Sequence, residues 1–374
     1  MNYLQKNDEE RLLKYINQAQ ERSAYFIGYP IAQDFDYTDL YPLLRLPLNN
    51  VGDPQIESTY DLNSRSLEQE VLDFFSDLFK APQNNWWGYV TNGGSEGNLY
   101  GLYVARELYP NGIVYYSEST HYSVQKNIQL LNLQNIVIRT QPNGEIDYED
   151  LEQMIQGHRD QPVIMLANIG TTMTEAKDDL GKIKQIFRKL AIKNHYIHCD
   201  AALAGVYSAA LALEPGFDFS YGCDSLAISG HKFIGSPIPC GVVLVKKNYK
   251  DRIGKIIPYI GTADTTISGS RNGHSPIFLW YAIKRMGIEG LRKRAEDALE
   301  MAAYAVEKFR ELGIEAWRNP NALTVVFPEI SYELRQKWQL ATEQGISHII
   351  CMPGIGKEKI DEFMIDVKAE MVIS

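Results

Sequence analysis

Asp224-Ser225-Leu226-Ala227-Ile228-Ser229-Gly230-His231-Lys232 is a short apolar strand that ends, among glycine and polar residues, on a lysine. Lysine forms Schiff bases with carbonyl compounds, and an amine delivered from a strand end into such surroundings suits a reacting group. A surface lysine after a strand is the commoner arrangement for any one residue. The meaning of Lys232 therefore depends on what the rest of the chain brings beside it.

Outward from that strand, short apolar runs alternate with longer periodic segments. Strands are expected at Trp87–Thr91, Ile113–Tyr116, Ile136–Arg139, Val163–Asn168, Tyr196–Cys199, Ser225–Ser229 and Gly241–Lys246. Most are separated by stretches long enough for a helix, which predicts an α/β fold with a mainly parallel, seven-stranded sheet flanked by helices. Leu67, Val71, Phe74, Phe75 and Leu78 share one helical face, as do Leu291, Ala295, Ala298, Leu299, Ala302 and Phe309. A helix of about Leu291–Leu312, a strand at Thr324–Phe327 and a closing helix near Lys357–Lys368 read as a smaller C-terminal α+β domain. The boundary is expected in the Gly-, Ser- and Thr-rich stretch Pro258–Gly273, also a candidate mobile loop.

The 374 residues suffice for one large and one smaller domain, and the net charge of −10 argues against a nucleic-acid or anionic-membrane partner. The polar segment Met1–Arg22 reads as a solvated helix rather than a signal peptide, and no apolar run is long enough to span a bilayer. Cys199, Cys223, Cys240 and Cys351 are scattered, without the close pair that begins a zinc site or redox motif. A reducing cytoplasm is the expected location.

In open α/β sheets ligands bind outside the carboxyl ends of the strands, and here each such end carries chemistry. Gly93-Gly94-Ser95 opens a helix whose free N–H groups and dipole suit a phosphate, and Ser229 and His231 alternate onto one side of the chain beside it. Asp200 ends a strand where a carboxylate needs a positive partner; a protonated pyridine nitrogen is one, and Ala202 is small enough for a flat ring to lie against. The imidazole of His121 could stack on the opposite ring face. Each feature has a plain alternative: a turn capped by Ser95, an Asp-Ala-Ala helix cap, a structural histidine. Their succession at strand ends, followed by Lys232, favours one pyridoxal phosphate site.

The stretches Gly28-Tyr29-Pro30, Phe35-Asp36-Tyr37, Asn49–Asp53, Trp87–Gly94, His121-Tyr122-Ser123, Asn168–Thr172, His198–Ala202, Ser229–Lys232 and Gly269–His274 carry a resemblance. Over them the chain resembles the fold-type I, group II pyridoxal-phosphate-dependent amino-acid decarboxylases, and within these the histidine and serine decarboxylases. The resemblance implies an aspartate aminotransferase-like fold. Residues 1–50 would pack on a partner subunit, 51–257 would form the large cofactor domain, and 258–374 the linker loop and small domain. It implies Lys232 as the Schiff-base lysine, Asp200 as partner of the pyridine nitrogen, and His121 as the stacking base. Gly94, Ser95, Ser229 and His231 would surround the phosphate, and Thr172 would sit near the ring hydroxyl or the substrate carboxylate. It further implies a homodimer with active sites at the interface, and places Tyr259 where a loop tyrosine protonates Cα; a tyrosine packed at a hinge is the alternative.

The implied reaction is α-decarboxylation of an L-amino acid to the amine and carbon dioxide. Asn319-Pro320 and Thr324–Pro328 are similar to histidine decarboxylases (L-histidine to histamine). Gly52-Asp53-Pro54, Glu57-Ser58, Tyr60, Ser64-Arg65 and Trp338–Ala341 are similar to serine decarboxylases (L-serine to ethanolamine). Pro54 stands where a tryptophan is expected in the bacterial histidine enzymes. Tyr60, whose phenol can hydrogen-bond a polar side chain, is the candidate for lining the substrate pocket, with simple packing as its alternative. An aminotransferase or a β-eliminating lyase is the alternative activity on the same fold.

Overall fold

In the computed structural model, which describes residues 4–57, 59–253, 255–257 and 262–373, seven strands form one sheet. These are β1 (Trp86–Thr91), β2 (Ile113–Ser117), β3 (Gln134–Ile138), β4 (Val163–Asn168), β5 (His195–Asp200), β6 (Ser225–Ser229) and β7 (Gly241–Lys246), in the order β1-β7-β6-β5-β4-β2-β3. The pairs among β3, β2, β4, β5 and β6 are parallel, whereas β7 runs antiparallel to both β1 and β6. Side-chain alternation divides the apolar residues between two faces. Val114, Tyr116, Ile164, Leu166 and Val243 pack with Tyr100 and Val104 of the helix Gly94–Leu108. Tyr115, Met165, Ala167, Ile197 and Leu226 pack with Ile183 and Phe187 of the helix Leu180–Lys189. Covered on both sides, the inner strands read as unbroken apolar runs.

The expected strand at Ile136–Arg139 begins two residues earlier. It is the sheet edge, with Val137 half exposed, so it lacks the apolar run that marks its neighbours. The expected helix at Leu291 is the second part of a longer one, His274–Glu311, that breaks at Gly287 (φ 58°, ψ −173°). Its first part buries Ile277, Phe278, Leu279, Ala282 and Ile283, a nearly continuous apolar stretch that hides the helical period.

A hairpin of β8 (Lys255–Ile257) and β9 (Thr262–Asp264) precedes that helix. A second antiparallel sheet of β10 (Thr324–Pro328), β11 (Thr342–Glu343) and β12 (Ile346–Ile350) follows it, and the helix Lys357–Ile373 closes the chain. Glu175, fully buried after β4, holds this sheet against the large one. Its carboxylate accepts from the Leu323 and Thr324 amides (3.1 and 2.8 Å), from the Thr324 hydroxyl (2.5 Å) and from the Tyr207 hydroxyl. A buried carboxylate is tolerated only when so satisfied. His348 of β12 spans the same junction, its ring nitrogens 3.0 Å from the Met173 carbonyl and 3.1 Å from that of Gly28.

Register decides what the sheet edge presents. Asn168 pairs with Asp200 and Asp200 with Ala227, while Gly241 lies between Ser229 and Thr91. The ends of β1, β4, β5 and β6 thus lie side by side.

Candidate functional site

Those strand ends open into a cleft of about 1510 Å³. Gly94, Ser95, His121, Thr172, Asp200, Ala202, Ser229, His231 and Lys232 all line it. Residues distant in sequence complete the lining: Phe26, Tyr29 and Ile31 from the N-terminal segment, and Glu343, Ile346 and His348 from the small sheet. Tyr60 is not brought to this cleft; its hydroxyl donates to the Pro47 carbonyl at 3.3 Å. Tyr259 lies outside the described residues.

Lys232 is partly buried, and no hydrogen bond or ion pair among the described residues engages its Nζ. Burial lowers its pKa, and the charges of Asp200 and Glu175 oppose that fall. Desolvation moves an amine toward its neutral, nucleophilic form. Asp200, 8 % exposed, is held by two donors: the Asn98 carboxamide to Oδ2 at 2.6 Å and the Ala202 amide to Oδ1 at 3.2 Å.

Across the cleft, the helix Gly94–Leu108 begins without a side-chain cap. Gly93 precedes it at φ 148°, a conformation that favours glycine. A Cβ on Gly94 would lie 2.7 Å from Ser229 Oγ and 3.0 Å from Ala202 Cβ, so the first helical N–H groups sit in a cradle that a side chain would fill. The Nδ1 of His231 lies 2.9 Å from the Cys240 carbonyl, and burial lowers the pKa of the ring. His121 accepts at Nδ1 from the Ser123 amide (3.3 Å) and lies 2.8 Å from the Ser123 hydroxyl. Burial lowers its pKa first, Asp200 opposes, and Lys232 and Lys126 add to the fall. An anion cradle, a buried carboxylate and a partly desolvated lysine in one cleft are the donor set that pyridoxal phosphate requires, so the residues fit the cofactor.

Sequence reading passed over one group at the site. His198, two residues before Asp200 on β5, is fully buried, with Nε2 3.0 Å from Asn98 Oδ1 and Nδ1 2.7 Å from Ser225 Oγ. Burial pushes its pKa from 6.5 down to about 3. Between those values the unfolded chain binds the extra proton and the folded protein does not, so this histidine's contribution to stability is lost as pH falls below 6.5. Urea unfolding should show wild type losing about 1.4 kcal/mol per pH unit more than His198→Gln between about pH 6 and 4. Equal slopes would mean that the folded imidazole titrates normally.

A mainly parallel sheet with this donor set at its carboxyl edge defines the class as a pyridoxal-phosphate-dependent enzyme. Residues 58–328 match the pyridoxal-dependent decarboxylase conserved domain. The chain is 49% identical to a histidine decarboxylase from Mesorhizobium japonicum, over 96% of this chain and 97% of that protein. It is 44% identical to a histidine decarboxylase from Vibrio anguillarum, over 97% and 95%. An L-methionine decarboxylase from Streptomyces sp. 590, solved with L-methionine methyl ester, superposes with a TM-score of 0.90 at 27% identity, covering 99% of this chain and 96% of that one. The chain belongs to the pyridoxal-dependent decarboxylase family and is a carboxy-lyase that uses pyridoxal phosphate on an amino acid.

Proposed function

We propose that this enzyme converts L-histidine to histamine and carbon dioxide. The observation that carries the reading is the 49% identity to a histidine decarboxylase across nearly the whole of both chains. When bound, pyridoxal phosphate supplies a protonated pyridine ring that accepts the electron pair left as the Cα–carboxylate bond breaks. Lys232 is the covalent anchor, its amine made nucleophilic by burial. Asp200 would hold the pyridine nitrogen, and His121 and Ala202 would flank the ring. Gly94, Ser95, Ser229 and His231 would hold the phosphate, and Thr172 would hold the ring hydroxyl or the substrate carboxylate.

Phe26, Ile31, Ile346 and Ile350 give one side of the cleft an apolar lining. Tyr259, at the loop position that the resemblance marks, would be the acid that supplies a proton at Cα. The enzyme acts as a cytoplasmic homodimer with sites at the interface, where residues 1–50 pack on the partner. The helix Lys6–Ser23 buries none of its residues and exposes Leu12, Leu13, Tyr15 and Ile16, which supports such a role. Among the described residues, no helix is long and apolar enough to cross a membrane.

Assaying amines formed from histidine, serine and a panel of other L-amino acids tests the substrate. Histidine should give the highest kcat/KM. Ethanolamine from serine as the main product would replace this reading, and a keto acid or ammonia without carbon dioxide would indicate aminotransfer or β-elimination.

A further inference from the structure

We infer that His198, acting through Asn98, is a positioning residue for Asp200, fixing the direction and charge of that carboxylate where a pyridinium N–H would meet it. The inference rests on the proposed role of Asp200. Asn98 donates from Nδ2 to Asp200 Oδ2 at 2.6 Å, which leaves its Oδ1 as the acceptor for His198. His198 Nε2, 3.0 Å from that oxygen, therefore carries the ring proton, and Nδ1 accepts from the Ser225 hydroxyl at 2.7 Å. Every proton in the chain Ser225–His198–Asn98–Asp200 points toward the carboxylate.

The direction matters because a carboxamide has two orientations. With its amide turned over, Asn98 would set an oxygen against the Asp200 carboxylate and leave its two N–H groups facing His198. The Asp200 carboxylate disfavours that alternative, and the imidazole N–H against Oδ1 gives the productive orientation a second hydrogen bond. Ser225, His198 and Asn98 are each at most 1 % exposed, and in such dry surroundings a hydrogen bond to a charged group is strengthened. Space is reserved for the ring as well: a Cβ on Gly101 would lie 2.2 Å from His198 Nδ1, so the helix that carries Asn98 approaches the imidazole only through a glycine. Asn98 and Asp200 line the cleft, and His198 and Ser225 stand behind them.

The test is equilibrium binding to cofactor-free enzyme, read by tryptophan fluorescence. Pyridoxal 5′-phosphate is compared with its 1-deaza analogue, in which carbon replaces the ring nitrogen. His198→Leu should weaken the natural cofactor about tenfold while leaving the analogue within about twofold, because only the ring nitrogen meets the carboxylate. His198→Gln, whose side-chain amide can replace the Nε2 donor, should restore most of the loss. Equal weakening of both ligands, or of neither, overturns the inference. Should His198→Leu fail to fold, Asn98→Ser is read by the same comparison. Asp200→Ala separates the two levels: if it does not discriminate between the ligands, the role of Asp200 itself fails; if it discriminates and the His198 variants do not, only the positioning role falls.

Discussion

Lys232→Ala should abolish turnover, lowering kcat/KM by at least on the order of 10⁴-fold, and should remove the visible absorbance of the lysine-bound cofactor from the purified protein. The loss follows from the removal of a reacting group rather than of a contact. The side chain is partly buried, and burial lowers its pKa against the pull of Asp200 and Glu175, so alanine deletes both the covalent anchor and the amine that recaptures the cofactor. Folding should survive, because no hydrogen bond or ion pair among the described residues depends on Nζ; the backbone carbonyl of Lys232, which accepts from the Ala32 amide at 3.0 Å, is untouched by the substitution. Unchanged absorbance with unchanged activity would refute the assignment of this lysine.

Asp200→Ala is expected to keep weak cofactor binding, since the phosphate cradle at Gly94 and the lysine are intact, but to lose most turnover. Removing one partner of a buried charge pair costs about 3–5 kcal/mol, which is on the order of 10²–10⁴ in rate when the charge is needed in the transition state. The pair in question is the carboxylate, held by Asn98 and the Ala202 amide, against the protonated ring nitrogen of the bound cofactor. The loss should therefore appear mainly in kcat. Near-normal kcat with intact cofactor binding would mean that another carboxylate serves the ring.

Much of this arrangement is legible in the chain, for identifiable reasons. Strands such as Val163–Asn168 and Ser225–Ser229 are covered on both faces, so burial writes itself into the sequence as an apolar run, and the polar residue that ends each run marks the edge of the sheet. Asp200 and Lys232 stand out because each follows such a run. The antiparallel insertion of β7 between β1 and β6 left no such signature: Val242, Val243, Leu244 and Val245 are fully buried, and a run buried on both faces reads alike in either direction.

The wall of the cleft contributed by Ile346 and His348 was equally hidden. It depends on Glu175 docking the small sheet, a contact between residues well over a hundred positions apart that no local period can announce. His198 illustrates a subtler limit. Its place two residues before Asp200 puts both side chains on the same side of β5, yet only the fold reveals that Asn98 stands between them.

The central claim, decarboxylation of L-histidine with pyridoxal phosphate, is tested most directly by supplying carboxyl-labelled L-histidine to the loaded enzyme and counting both products. The account predicts one labelled carbon dioxide for each histamine formed. A keto acid or released ammonia, with the label retained in the carbon product, would contradict it.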